Sequence, residues 1–117
     1  MKSYQELLAE AKARVREIGV QEALAMRGSK PDAVFLDVRD PNEFNLGKIP
    51  GALTISRGNL EKNVEAQVPR EAPVVVYCAN GNRSAFAADT LHAMGYADVR
   101  SLREGFSGWV GAGGDVE

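Results

Sequence analysis

The stretch Val74-Val75-Val76-Tyr77-Cys78-Ala79-Asn80-Gly81-Asn82-Arg83-Ser84 joins an apolar run to a short polar loop and then to a helical pattern. An unbroken apolar run of this length is what a strand covered on both faces requires, as in a parallel sheet. Beyond the loop, Ala87, Leu91 and Met94 recur at helical spacing, and Gly95 supplies a stop, so a helix is predicted over Arg83–Met94. Strand, tight loop and helix in succession form the repeating unit of layered α/β folds.

The segments on either side continue the alternation. Ala33–Val38 is a second apolar run, set off by the Pro31-Asp32 turn signal. Asp40-Pro41-Asn42-Glu43 combines a cap, a proline at the first helical position and a glutamate three residues after the cap, predicting a helical turn or two that ends near Gly47. Ile49-Pro50-Gly51-Ala52 suits a type II turn before a short strand at Leu53–Ile55. Ser56 is positioned to cap a helix whose Leu60 and Val64 face the core, and the segment Val68–Pro73 returns the chain to the sheet. A last strand at Val99–Leu102 and a helical turn ending at Trp109 follow, with Gly111–Glu117 read as a frayed tail.

Toward the N-terminus, Ser3 and Glu6 form a capping-box pattern. Tyr4, Leu7, Leu8, Ala11, Val15 and Ile18 share one helical face, predicting a helix from about 4 to 17 that Gly19 ends. A very short strand at Ile18–Val20 and a brief helix around Gln21–Met26 come next. The expected organisation is an N-terminal helical extension over 1–18 packed on the sheet, one α/β domain over 19–110 and a flexible tail over 111–117.

Composition bounds the function. The 117 residues, 44% hydrophobic and 26% charged, fit one globular domain. A net charge of −2 leaves no basic excess to neutralise nucleic acid or seek a membrane surface. No apolar stretch approaches the ~20 residues of a membrane span, and Met1–Arg14 alternates charge with apolar residues, unlike a signal peptide. A cytoplasmic address is the expectation. One cysteine and one histidine exclude an internal disulfide and are too few ligands for a zinc or iron–sulfur site.

Chemistry concentrates at Cys78. In parallel sheets ligands bind beyond the carboxyl ends of strands, and a loop entering a helix aims backbone N–H groups and the positive end of the helix dipole at one spot. Gly81 permits the positive φ such wrapping needs. Cys78 at the mouth of this cradle is favoured in its nucleophilic thiolate form, with Arg83 supplying a fixed charge and a fork of donors. A free cysteine at a strand end is more commonly a small buried hydrophobe; the junction, Gly81 and Arg83 together favour the reactive reading here.

Four segments resemble, in order, the signatures of rhodanese-like sulfurtransferases: Leu36–Phe44, Gly47–Ala52, Val76–Ser84 and Gly105–Trp109. The similarity spans roughly residues 19–110. It implies a three-layer α/β domain, with a five-stranded, mainly parallel sheet flanked by helices, in which the strand ending at Asp37 lies beside the one leading to Cys78. Lys48 stands where the family usually has histidine, and Glu104-Gly105 replaces its common Gly-Gly.

The resemblance implies that the Cys78 thiolate takes the outer sulfur of a donor such as thiosulfate and passes it to cyanide or a thiol. The loop Ala79, Asn80, Gly81, Asn82, Arg83 and Ser84 would hold the charged sulfur, and no metal or organic cofactor is required. Cysteine-dependent phosphatases and arsenate reductases use a related Cys-x5-Arg loop. Cys78-x4-Arg83 is one residue shorter, a cradle for a single sulfur, and the loop has no carboxylic acid for a leaving alkoxide. A persulfide carrier serving a sulfur-accepting protein is a third reading. Asp37, Arg39 and Glu43 are expected to support the loop, with Glu43 near enough in sequence to pair with Arg39. His92 is expected at the surface and Trp109 as an anchor closing the fold.

Overall fold

Val74–Tyr77 forms a fully buried strand at the centre of the sheet, and the side-chain alternation along it explains the continuous apolar run. The computed structural model describes all 117 residues. Its strands are β1 (Arg16–Ile18), β2 (Val34–Asp37), β3 (Leu53–Thr54), β4 (Val74–Tyr77) and β5 (Val99–Leu102), arranged β1-β5-β4-β2-β3 with every pairing parallel. The helices are α1 (Tyr4–Arg14), α2 (Val20–Ser29), α3 (Pro41–Phe44), α4 (Leu60–Gln67), α5 (Asn82–Ala93) and α6 (Gly105–Gly111). No helix is long and apolar enough to cross a membrane.

Side chains alternate across a strand, so β4 feeds two cores. Val74 and Val76 pack with Leu60 and Val64 of α4 and Leu91 of α5, whereas Val75 and Tyr77 join Ala23 and Met26 of α2 and Trp109 of α6. Helices cover both faces of the central strand, which is why β4 shows no polar alternation. The mixed α/β, five-stranded architecture is the one expected from the sequence.

Local chemistry sets several boundaries as read. The Ser3 Oγ accepts from Glu6 N at 3.1 Å, and the Glu6 carboxylate returns to Ser3 N at 3.2 Å. Gly51 has φ +78°, with Ala52 N donating to Ile49 O at 3.0 Å, as a type II turn demands.

Other boundaries differ for tertiary reasons. The first helix stops at Arg14 instead of continuing to about 17, because Arg16–Ile18 is drawn into parallel pairing with Arg100–Leu102. The short strand is therefore Arg16–Ile18, not Ile18–Val20, and Gly19 precedes α2 instead of ending α1. Helix α1 packs on α5, not on the sheet, through Tyr4 against Phe86 and a forked Arg14–Asp89 pair. Ser56 makes no side-chain cap; a 3₁₀ turn over Arg57–Asn59 leads into α4.

The C-terminal residues also depart from the expected frayed tail. Helix α6 runs through Gly111, Trp109 Nε1 donates to Asp115 O at 2.8 Å, and Glu117 N donates to Lys48 O at 2.8 Å. Burying an indole demands an acceptor for its N–H, and the returning chain supplies one. Lys48 completes the contact by pairing with the Glu117 carboxylate.

Candidate active site

Strand β4 delivers Cys78 to the carboxyl edge of the sheet, where the chain turns over the sulfur before entering α5. Gly81 makes that turn in the left-handed region, at φ +92°. A side chain there would place its Cβ 2.2 Å from Arg103 O, so both conformation and space call for glycine. The result is a closed cradle: Cys78 Sγ accepts from Gly81 N at 3.2 Å and from Ser84 N at 3.3 Å.

The cradle is braced from outside by α6. Phe106 N donates to Cys78 O at 2.7 Å and Ser107 N to Ala79 O at 3.1 Å. The chain approaches so closely because Gly105, at φ +64°, has no Cβ; one would lie 2.5 Å from the Ala79 carbonyl. Carbonyls at the base of the loop are thus committed to α6, while amides further along face the sulfur.

The loop residues divide by exposure. Gly81 and Ser84 are buried, Ala79, Asn82 and Arg83 are half-buried, and Asn80 is exposed. The Asn80 Oδ1 accepts from Asn82 N at 3.2 Å and tightens the turn. Cys78 is fully buried, so its sulfur lies at the floor of the cradle instead of at its mouth. The Ser84 hydroxyl lies 3.6 Å from Sγ and 2.9 Å from the hydroxyl of Ser101 on β5.

Arg83 does not extend its guanidinium freely into the cradle. Its two terminal nitrogens donate to Glu43, at 2.7 and 2.9 Å. Glu43 also accepts from Asp40 N at 3.0 Å, which places its carboxylate at the start of α3. The Arg83 hydrogen bonds hold the Glu43 carboxyl well down, to about 2, and raise the guanidinium above its ordinary value.

The expected Arg39–Glu43 pair is replaced by two others. Arg39 turns back on Asp37, donating from its backbone N at 2.9 Å and from its guanidinium at 2.7 to 3.1 Å. Its remaining reach holds Gly47 O at 2.7 Å, and its guanidinium lies 4.2 Å over the Phe106 ring. Parallel register sets Asp37 beside Tyr77, one residue before the cysteine, so this buried pair connects the β2 edge to the helix that braces the loop. Sequence separation misled because a two-residue turn lets a carboxylate and guanidinium fold onto each other before a helical neighbour is reached.

A cleft of about 450 Å³ lies alongside, lined by Arg39, Glu43, Leu46, Gly47, Phe106, Val110 and Val116. His92 is exposed and lines a separate cavity of mixed character with Arg14, Val15, Asp98 and Val99, sharing no residue with the cysteine cradle. Trp109 is buried as an anchor. Of the two departures from the family pattern, Lys48 donates to Ala52 O at 3.2 Å, and the Glu104 carboxylate accepts from Val20 N at 3.1 Å. Glu104 thereby caps α2, whose preceding Gly19 has no side chain to do so.

Sequence reasoning missed Ser101, Gly105 and Phe106 as neighbours of the site. A serine inside an otherwise core strand was the available signal for the first. The other two required knowing where α6 packs. Chemically, two amides and a hydroxyl converge on one sulfur, an arrangement suited to holding it with negative charge.

Comparison with known proteins gives the same direction. Over 92 residues the chain is 36% identical to the thiosulfate sulfurtransferase GlpE of Tolumonas auensis, covering 79% of this chain and 85% of that protein. Its structure is similar to RPA3614 of Rhodopseudomonas palustris, a protein of unknown function described as a possible tyrosine phosphatase, with TM-score 0.90, 36% identity, and coverage of 100% and 96%. It is also similar to the polysulfide-sulfur transferase homodimer of Wolinella succinogenes, with TM-score 0.83, 29% identity, and coverage of 97% and 86%. With a match to the rhodanese-like domain across residues 19–112, the chain belongs to the rhodanese-like family.

Proposed function

We propose that the chain is a thiosulfate sulfurtransferase that carries the transferred sulfur as a persulfide on Cys78. The observation that carries this reading is the convergence of Gly81 N and Ser84 N on Sγ, with the Ser84 hydroxyl beside them. Donors fixed in advance around a sulfur stabilise its anion without reorganising during reaction.

In the first step the Cys78 thiolate attacks the outer sulfur of thiosulfate. A new S–S bond forms, the donor's own S–S bond breaks, and its electron pair leaves with sulfite. The enzyme keeps one sulfur and one negative charge, as Cys78–S–S⁻. In the second step cyanide attacks that terminal sulfur, giving thiocyanate and returning the thiolate; a thiol acceptor leaves a persulfide on itself. The 79–84 loop holds the anionic sulfur, Arg83 adds positive charge at the rim for an anionic donor, and Asp37, Arg39 and Glu43 fix the surrounding frame. The names of the GlpE relatives and of the polysulfide-sulfur transferase support this chemistry.

The likeness to a possible tyrosine phosphatase makes phosphate-ester hydrolysis the reading to test against it. Two features depart from a Cys-x5-Arg loop: Arg83 follows Cys78 after four residues instead of five, and its fork is engaged by Glu43. No carboxylic acid is among the hydrogen-bond partners of Cys78.

Incubation with thiosulfate, followed by intact-mass measurement, should show one added sulfur. Cyanide should remove it and yield thiocyanate, and Cys78→Ser should do neither. Failure of the wild-type protein to gain sulfur, or undiminished thiocyanate from the serine variant, would defeat the proposal. Turnover of an aryl phosphate in a parallel assay would favour the phosphatase reading, and sulfur passing to one protein but to no small thiol would favour a relay.

A further inference from the structure

Ser84 and Ser101 are both fully buried, and their hydroxyls lie 2.9 Å apart although they come from different elements, the first turn of α5 and strand β5. Ser84 Oγ is also 3.6 Å from Cys78 Sγ, so the three groups form a line: Ser101, Ser84, sulfur. Ser84 is the one hydrogen-bond partner of the Ser101 hydroxyl. A serine buried in a core strand with a single partner costs desolvation that an alanine would not, which asks for a use.

The line has two proton arrangements. In one, the Cys78 S–H donates to Ser84, Ser84 donates to Ser101, and the Ser101 proton has no acceptor. In the other, Ser101 donates to Ser84 and Ser84 donates to the sulfur, so each hydroxyl proton is used. That second arrangement suits a sulfur without its own proton, because a thiol would have to turn its S–H away to Asn80 Oδ1, at a long 4.0 Å. The amides of Gly81 and Ser84 already face the same atom and complete its donors.

We infer that Ser101 is a positioning residue that, by donating to Ser84, fixes the Ser84 hydroxyl as a donor to the anionic sulfur held at Cys78. The role rests on reading Cys78 as the sulfur carrier, and it applies first to the thiolate and then to the persulfide. Ser101 touches no substrate; it orients a group that touches the reacting atom.

The test follows iodoacetamide alkylation of the full-length protein from about pH 5 to about pH 9. Ser84→Ala removes a hydrogen bond to a charged atom and should move the alkylation midpoint up by roughly half to one unit. Ser101→Ala leaves Ser84 in place but unoriented and should move it in the same direction by roughly half as much, slowing the reaction at neutral pH about twofold to threefold. Ser101→Thr keeps the hydroxyl and should keep the wild-type midpoint. Ser101→Val has the shape of threonine without its hydroxyl, so the threonine–valine comparison decides the matter should the alanine variant fold poorly. In a Ser84→Ala background the further change Ser101→Ala should do nothing. An unmoved midpoint in the folded hydroxyl-free variants, or a full shift surviving without Ser84, overturns the inference. Alkylation needs no sulfur donor. A Ser101 effect in a protein that never gains sulfur from thiosulfate would therefore count against the proposed transfer and not against this role.

Discussion

Arg83 and Glu43, 40 positions apart, meet in a two-pronged ion pair with contacts of 2.7 and 2.9 Å that joins the first turn of α5 to α3. The geometry is that of a fork matched to a carboxylate, which constrains orientation as well as distance. Both side chains retain partial exposure, at 37% for Arg83 and 28% for Glu43. Water therefore weakens the attraction, and the pair acts as a locating pin for the cysteine loop more than as a store of stability.

The pair has an acid signature. Its hydrogen bonds to Arg83 lower the Glu43 carboxyl from 4.5 to about 2 in the folded protein. The unfolded chain therefore takes up this proton first as pH falls. The pair's contribution is fully present above about 4.5, declines as acid is added, and is gone once the folded value near 2 is passed. Urea denaturation at a series of pH values should show Glu43→Gln losing less stability than wild type between pH 4.5 and 2. Parallel pH dependences in the two proteins would show that the pair contributes nothing specific to the fold.

Removing the Arg83 charge tests its part in the proposed reaction. Arg83→Gln keeps a polar side chain but is shorter and offers an anionic donor no positive charge. Loss of one charge-assisted contact predicts a KM for thiosulfate raised roughly tenfold, with a smaller fall in kcat from the lost Glu43 pin on the loop. Thiosulfate titrations at saturating cyanide measure both. A fall in kcat of similar size at unchanged KM would place Arg83 in the sulfur-transfer step instead of donor binding.

The legible part of this protein was the part fixed by local pattern. Val74–Tyr77 announced a doubly covered strand, Asp40-Pro41 and Ser3 announced helix starts, and Gly81 announced the turn over the cysteine, because each signal acts within a few residues of itself. The failures share a different origin. Arg16 and Glu17 read as helix until Arg100 and Ser101 are present to pair with them. Glu43 reads as Arg39's neighbour until the fold brings Arg83 to it. Asp115 reads as tail until the buried Trp109 needs an acceptor. Ser101 could not be assigned to the site from β5 alone, since only strand order sets it against α5.

Gly105 should tolerate no side chain. Gly105→Ala would place a methyl 2.5 Å from the Ala79 carbonyl and 2.6 Å from Asn80 N, against a rigid peptide unit, at φ +64°. Strain at such a position is of order 1–3 kcal/mol before any steric repair. Relief requires α6 to lift, breaking the Phe106 N to Cys78 O and Ser107 N to Ala79 O contacts. The variant should therefore lose about 2 kcal/mol or more in urea denaturation and take up sulfur from thiosulfate more slowly even where it remains folded. Gly111→Ala, with open space around its Cβ position, is the matched control and should change neither.

Asp37 and Arg39 form the counterpart of the exposed pair, since their side chains are only 0% and 6% exposed. Breaking a buried pair leaves a charge with neither water nor partner, so the loss exceeds the attraction that the intact pair supplied. Asp37→Asn removes the charge with little change in shape, and should cost about 3–5 kcal/mol in urea denaturation. It leaves Arg39 over Phe106 and bonded to Gly47, with its carboxylate gone. The double variant Asp37→Asn, Arg39→Met removes the stranded charge as well and should recover part of the loss, because burying an apolar chain is cheaper than burying a lone guanidinium. A double variant no more stable than the single one would mean that Arg39 matters for its bond to Gly47 and its packing on Phe106, not for its charge.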